Sequence, residues 1–309
     1  MTSATKIAGI TIPTYIGNAS GVFDTTSEQL NELMAVTSFI TLKSTTIKPR
    51  LSNPEPCQAT LLYGSIQTAG LPNMGILETI RWINTHYHTG LVIKANISGN
   101  NSDECLALMS AFQASPVSLI EINVTCQSRF FRKPIACDLP ALDKLLSEIS
   151  NIGNKPIGVK LPYYGNVELQ RQVVKLLLKH KVKFVTCSSS ILGLDIDVET
   201  EASIFHYDSL QNSVDSACVR YYILHEVCNY HKLLRGTGVS IIGAGGVQSG
   251  KDVYNLMIAG ADVVEVGSLL ESEGLSCLHR LAVEFETVLK QKNTTIERAK
   301  GSMLIRSGH

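Results

Sequence analysis

Short apolar runs rich in β-branched residues recur along the chain, separated by stretches of helical period. The runs are Pro13–Asn18, Phe39–Lys43, Leu91–Ile97, Leu119–Val124, Ile157–Leu161, Phe184–Ser188, Ser240–Gly243 and Val263–Val266. Their near-continuous hydrophobicity is what strands covered on both faces require. Between them the periodicity predicts helices over Ser27–Ala35, Ser102–Ala114, Ala141–Ile152, Val167–His180, Ser216–Lys232, Gly250–Ala259 and Leu275–Lys290. Strands each followed by a helix or helix-like segment fit a parallel α/β fold, the (β/α)8 or TIM barrel; a doubly wound open sheet shares the alternation. No Pro/Gly/Ser-rich linker divides the chain, so residues 1–309 read as one domain. Thr5–Thr11 is expected to form a hairpin over the barrel floor. Pro49–Gly75 and Gln127–Leu139 are too irregular for simple turns, and long loops at strand C-termini are where such barrels place their chemistry.

Composition narrows the partners. Basic and acidic residues balance at 27 each, with no long run of either sign. The basic stripe that a nucleic acid or anionic membrane needs is missing, which leaves a small organic substrate. The eight cysteines are scattered, with no CxxC pair and no metal-ligand spacing, so no metal is expected and the thiols read as reduced. No stretch approaches a membrane span and Met1–Ala8 has no apolar core, so a cytoplasmic protein is expected.

Several strand ends carry candidate chemistry. Gly243-Ala244-Gly245-Gly246 follows the seventh strand and leads into a helix, and Val266-Gly267-Ser268 ends the eighth. Glycines there let backbone N–H groups and a helix N-terminus approach a phosphate; equally, they serve as tight turns needing positive φ. Lys43 and Lys160 end apolar strands, where a cation is costly unless it meets an anion or reaches the rim. Asn18-Ala19-Ser20-Gly21 would let a planar ligand lie on the backbone, and Gly70-Leu71-Pro72-Asn73 is a further turn. Cys126, in Asn123-Val124-Thr125-Cys126, is a general base if its thiol is acidified, or otherwise a small buried hydrophobe.

In this order, Asn-Ala-Ser-Gly, Lys-Ser-Thr-Thr, Gly-Leu-Pro-Asn, Asn-x-x-Cys, Gly-Val-Lys-Leu-Pro, Gly-x-Gly-Gly and Val-Gly-Ser run through nearly the whole chain. The ordered set resembles the dihydroorotate dehydrogenases, in particular the soluble homodimeric, fumarate-using kind. The resemblance implies FMN as cofactor, oxidation of dihydroorotate to orotate in pyrimidine biosynthesis, Cys126 as base, hydride transfer to flavin N5, a soluble acceptor and a homodimer. It implies that Ala19, Ser20, Gly21, Lys43, Ser44, Asn123, Lys160, Ser190, Gly245, Gly246, Gly267 and Ser268 hold FMN. Substrate would meet Lys43, Gln67, Gly70, Leu71, Asn123, Ser128, Ser189 and Ser190.

The chain departs from the family pattern in the substrate pocket. Where the family sets four asparagines around orotate, this chain keeps Asn123 and has Gln67, Ser128 and Ser189 at the others. A primary amide donates and accepts at once, whereas serine offers one hydroxyl. Each hydrogen bond lost with a buried partner left behind costs roughly 1–3 kcal/mol. Ser213-Val214-Asp215-Ser216-Ala217 replaces a glycine-rich turn, and Asp215 would repel a phosphate; Phe130-Phe131-Arg132-Lys133 is a bulkier, more basic loop. Three readings stay open: a dihydroorotate dehydrogenase, a paralogue acting on another dihydropyrimidine or enone, and a barrel kept for binding or structure.

Overall fold

The computed structural model describes residues 4–303 apart from 22, 63, 126–133, 189–190 and 206–211. Its centre is an eight-stranded parallel sheet made of Ile16–Asn18, Phe39–Thr45, Val92–Ile97, Leu119–Asn123, Ile157–Leu161, Phe184–Cys187, Ser240–Ala244 and Val263–Val266. From the second strand to the eighth each pairs with the next, and the eighth returns to pair with the first. Between the first and second strands the Asn18 side chain takes over the ladder. Its Nδ2 donates to the Thr41 carbonyl at 2.7 Å, and its Oδ1 accepts from the Thr41 N–H at 3.0 Å. An amide can replace both halves of a backbone pair because it carries a donor and an acceptor. The barrel, not the open sheet, is the fold.

Inward-facing residues are stacked by depth. At the floor, Phe39, Val92, Leu119, Phe184, Ile242 and Val263 form a buried cluster with Ile7 and Ile12. Those two belong to the hairpin Thr5–Ile7 and Ile10–Ile12, which plugs the barrel as expected. Glycines make room for the large rings: a Cβ at Gly158 would lie 2.2 Å from Phe184, and one at Gly17 would lie 2.7 Å from Phe39. Two positions higher along the strands the interior turns polar.

Helices Ser27–Val36, Ser102–Ala114, Leu139–Ile149, Val167–Lys179, Val219–Leu234, Gly250–Ala259 and Ser276–Gln291 cover the outside. Leu139–Ile149 starts earlier than its periodicity indicates, because Asp138 caps the Ala141 N–H and Pro140 sits in the first turn, where its missing N–H costs nothing. Val219–Leu234 starts later than expected, since Ser216–Val219 closes a turn first. Pro49–Gly75 is not a featureless loop. It supplies Gln58–Leu61 and Gly64–Gln67 to a four-stranded antiparallel sheet with Ile191–Gly193 and Asn212–Asp215, and an unexpected helix, Gly75–His86, follows. That sheet joins segments far apart in sequence, so no local pattern announces it.

Candidate active site

A cavity of about 640 Å³ opens at the C-terminal mouth of the barrel. Every barrel strand but the third contributes to its lining, at its end or just beyond it, through Ala19–Gly21, Lys43–Ser44, Asn123, Lys160, Ser188, Ala244–Gly246, Glu265, Gly267 and Ser268. Gln67–Pro72 and Ser213–Ser216, from around the four-stranded sheet, form one wall. Ala19, Ser20, Gly21, Lys43, Ser44, Asn123, Lys160, Gly245, Gly246, Gly267, Ser268, Gln67, Gly70 and Leu71 therefore meet in one space. Cys126, Ser128, Ser189, Ser190 and the loop 130–133 lie outside the described residues. Thr125 and Ser188, their chain neighbours, line the same cavity.

The two lysines share one backbone turn. Lys43 Nζ donates to the Gly21 carbonyl, and Lys160 Nζ donates to the Ser20 carbonyl at 3.4 Å. Ser20 Oγ is buried with no partner among the described residues. Beside them Asn123 Nδ2 donates to Ser44 Oγ at 3.0 Å, while its Oδ1 accepts the Thr125 N–H and hydroxyl.

Gly245 (φ +127°) and Gly246 (φ +70°) form a cradle that only glycine permits, since a Cβ on Gly246 would sit 2.4 Å from the Arg220 nitrogen. The helix that follows contributes less than the sequence implies. The Gln248 and Ser249 N–H groups donate to Asp252 Oδ2, and Gly250 N–H donates to Glu284 Oε2 at 2.7 Å. Carboxylates of the chain already occupy that N-terminus. An anion would therefore have to use the Gly245–Gly246 and Gly267–Ser268 segments.

Gln67, one of the substituted positions, turns its amide to Asp215, donating from Nε2 to Oδ2 at 2.7 Å. Burial raises the Asp215 carboxyl above its ordinary range, with Gln67 pulling it back and Glu271 pushing it up. Asp215 thus stands in the wall formed by the four-stranded sheet with its charge directed at Gln67. Gly70 (φ +80°) and Leu71 (φ +62°) are held by Asn73, whose Nδ2 donates to the Leu71 carbonyl at 2.9 Å.

Beneath the mouth lies a polar layer that the sequence reading missed. Lys94 Nζ contacts Glu121 Oε2 at 3.0 Å and Glu265 Oε1 at 2.6 Å, all three side chains being buried. Asn96 donates to Glu121 at 2.5 Å, Thr41 donates to Glu265 at 2.8 Å, and Thr186 donates to Glu121. Burial drives both carboxyls up. Attraction from Lys94 and Lys160 and the Thr186 hydroxyl bring Glu121 back below its usual range, while Glu265, repelled by Glu121, stays raised. Lys94 thus bridges the two carboxyls; its attraction favours the charged form of Glu121, while burial and the neighbouring Glu121 favour the neutral form of Glu265. The available signal was the period-two series Phe39-x-Thr41-x-Lys43, Val92-x-Lys94-x-Asn96, Leu119-x-Glu121-x-Asn123 and Val263-x-Glu265-x-Gly267, which puts floor, polar layer and mouth in register.

A parallel barrel with a glycine cradle after strand seven and convergent lysines at its mouth defines an enzyme of the (β/α)8 class that works on a small anionic ligand. The dihydroorotate dehydrogenase family model matches residues 2–289. The chain is 30% identical over 307 residues to the dihydroorotate dehydrogenase (fumarate) of Saccharomyces cerevisiae, covering 97% of each protein. The crystal structure of a DHODH from Eimeria tenella in complex with ferulenol superimposes with a TM-score of 0.82 over 96% of this chain and 87% of that one, at 19% identity; it supports the fold. The chain belongs to the dihydroorotate dehydrogenase family and is an oxidoreductase of flavin-using type.

Proposed function

We propose that this protein is an FMN-dependent dihydroorotate dehydrogenase, oxidising dihydroorotate to orotate with a soluble, fumarate-type acceptor. The observation that carries this is the convergence of Lys43, Asn123, Lys160 and the Gly245–Gly246 cradle on one cavity at the barrel mouth. The cavity fits FMN on three grounds: the cradle excludes a Cβ, Ser20 Oγ has no partner among the described residues, and two ammonium groups converge on one turn. Gly245, Gly246, Gly267 and Ser268 would hold the phosphate, and Ala19, Ser20, Gly21 and Ser44 the ring. When bound, FMN supplies the acceptor for the C6 hydride at its N5.

The chain's own residues supply binding and proton transfer. Lys43, with Gly70 and Leu71, receives the substrate carboxylate. Lys160 places positive charge where electron density accumulates, and Asn123 hydrogen-bonds the pyrimidine edge. Cys126 removes the C5 proton and Ser128, Ser189 and Ser190 complete the pocket, all by family position. One domain, a cytoplasmic location and a homodimer complete the proposal. Among the described residues no helix is long and apolar enough to cross a membrane. Leu192, Leu194, Ile196 and Val198 are exposed at alternating positions, an apolar strip suited to a second copy.

One observation favours a related substrate instead. The Gln67 amide is committed to Asp215, so the wall that resemblance assigns to orotate recognition presents an acidic acceptor. Anaerobic titration separates the readings. Bleaching of the flavin by dihydroorotate supports the first, bleaching only by other dihydropyrimidines or enones the second, and a protein without flavin absorbance refutes both. Cys126→Ala is expected to slow bleaching by orders of magnitude with flavin still bound, and an unchanged single-turnover rate removes the thiol from the mechanism.

A further inference from the structure

Asp24 lies just behind the turn that both mouth lysines grip, and neither the motifs nor the resemblance assigns it anything. Its side chain is 1% exposed. Oδ2 accepts the Gly21 N–H at 3.0 Å, while Oδ1 is buried with no hydrogen-bond partner among the described residues. The Gly21 peptide unit and its neighbour therefore link three charged groups. Asp24 accepts the Gly21 N–H, Lys43 donates to the Gly21 carbonyl, and Lys160 donates to the Ser20 carbonyl. The charged side chains that act on Asp24 are Lys43, from the second barrel strand, and Lys160, from the fifth.

We propose that Asp24 is a positioning residue for Lys43 and Lys160, setting the positive charge they present to the cavity and binding a proton when negative charge arrives there. The proposal rests on the flavin reading above. An ionised Asp24 partly neutralises the two ammonium groups, whereas a protonated one leaves their charge to a ligand. Burial pushes the carboxyl up to about 7, against the pull of Lys43, the Gly21 N–H and Lys160, so both forms are within reach near neutrality. Two electrons delivered over the lysines by an external reductant add negative charge. The Asp24 carboxylate then takes one proton from water to form its O–H, offsetting part of that charge without breaking a bond to carbon. Oδ1, without a hydrogen-bond partner among the described residues, is where that proton fits.

The test uses the flavin-loaded protein and Asp24→Asn, which keeps a carbonyl acceptor for the Gly21 N–H but does not titrate. The flavin midpoint potential is followed from about pH 5.5 to 8.5 against reference dyes. Wild type is expected to show a pH slope steeper by up to about twofold around Asp24's titration, reflecting up to one additional proton per two electrons. The variant is expected to lack that steep segment. Identical slopes overturn the role of Asp24 and leave the flavin reading intact, whereas a wild type that binds no flavin overturns both. If the variant does not fold, carbon-13 NMR of wild type labelled at aspartate carboxyls decides. A carboxyl titrating near neutrality whose midpoint rises on flavin reduction supports the proposal, and the absence of any such carboxyl refutes it.

Discussion

At the scale of single residues, buried charge dominates this barrel. Asp24 is raised from 3.8 to about 7 in the fold. A raised carboxyl contributes stability that is complete below its unfolded value and lost as pH climbs through the folded one. Asp24→Asn should therefore gain on wild type between about pH 4 and 8, by up to about 4 kcal/mol at the upper end. Urea unfolding at the two pH values checks this, and an equal difference at both contradicts it. Lys94 poses the opposite problem, because it holds Glu121 and Glu265 together with no solvent access. Lys94→Met should cost about 3–5 kcal/mol by leaving buried carboxylates without their cation. Adding Glu121→Gln and Glu265→Gln should recover much of the loss in the same unfolding assay.

At the scale of elements, the strands carry a vertical code and the seam a lateral one. Within each strand the period of two assigns floor, polar layer and mouth, which is why Lys43, Asn123 and Lys160 could be read as candidates from their strand ends. The closure between the first and second strands depends on a side chain. Asn18→Ala should leave the Thr41 N–H and carbonyl unmatched and destabilise the barrel by roughly 2–6 kcal/mol, measurable by denaturant midpoint. The helix after the seventh strand shows the limit of motif reading. A glycine-rich turn entering a helix looked like a dipole-assisted anion site, but Asp252 and Glu284 accept its first N–H groups. Glu284 is 34 residues from Gly250, on a different helix, so the turn's sequence could not announce it.

At the scale of the whole molecule, the four-stranded antiparallel sheet stands over the cavity, and the segment that leaves it after Ile191–Gly193 continues a row of exposed apolar positions at Leu192, Leu194, Ile196 and Val198. Light scattering should give twice the 33.6 kDa chain mass, and Leu194→Glu with Val198→Glu should return the protein to one copy. A wild-type monomer contradicts the proposed dimer. The sequence by itself determined the strand and helix alternation, the plugging hairpin and the strand-end lysines and glycines. Each of these is a local consequence of side-chain period or backbone freedom. Tertiary structure alone decided that Gln67 turns to Asp215, that Lys94 joins Glu121 to Glu265, and that Asp24 backs both lysines. Those pairings join residues from separate strands and loops, and their energies exist only once burial has removed the water that would otherwise screen them.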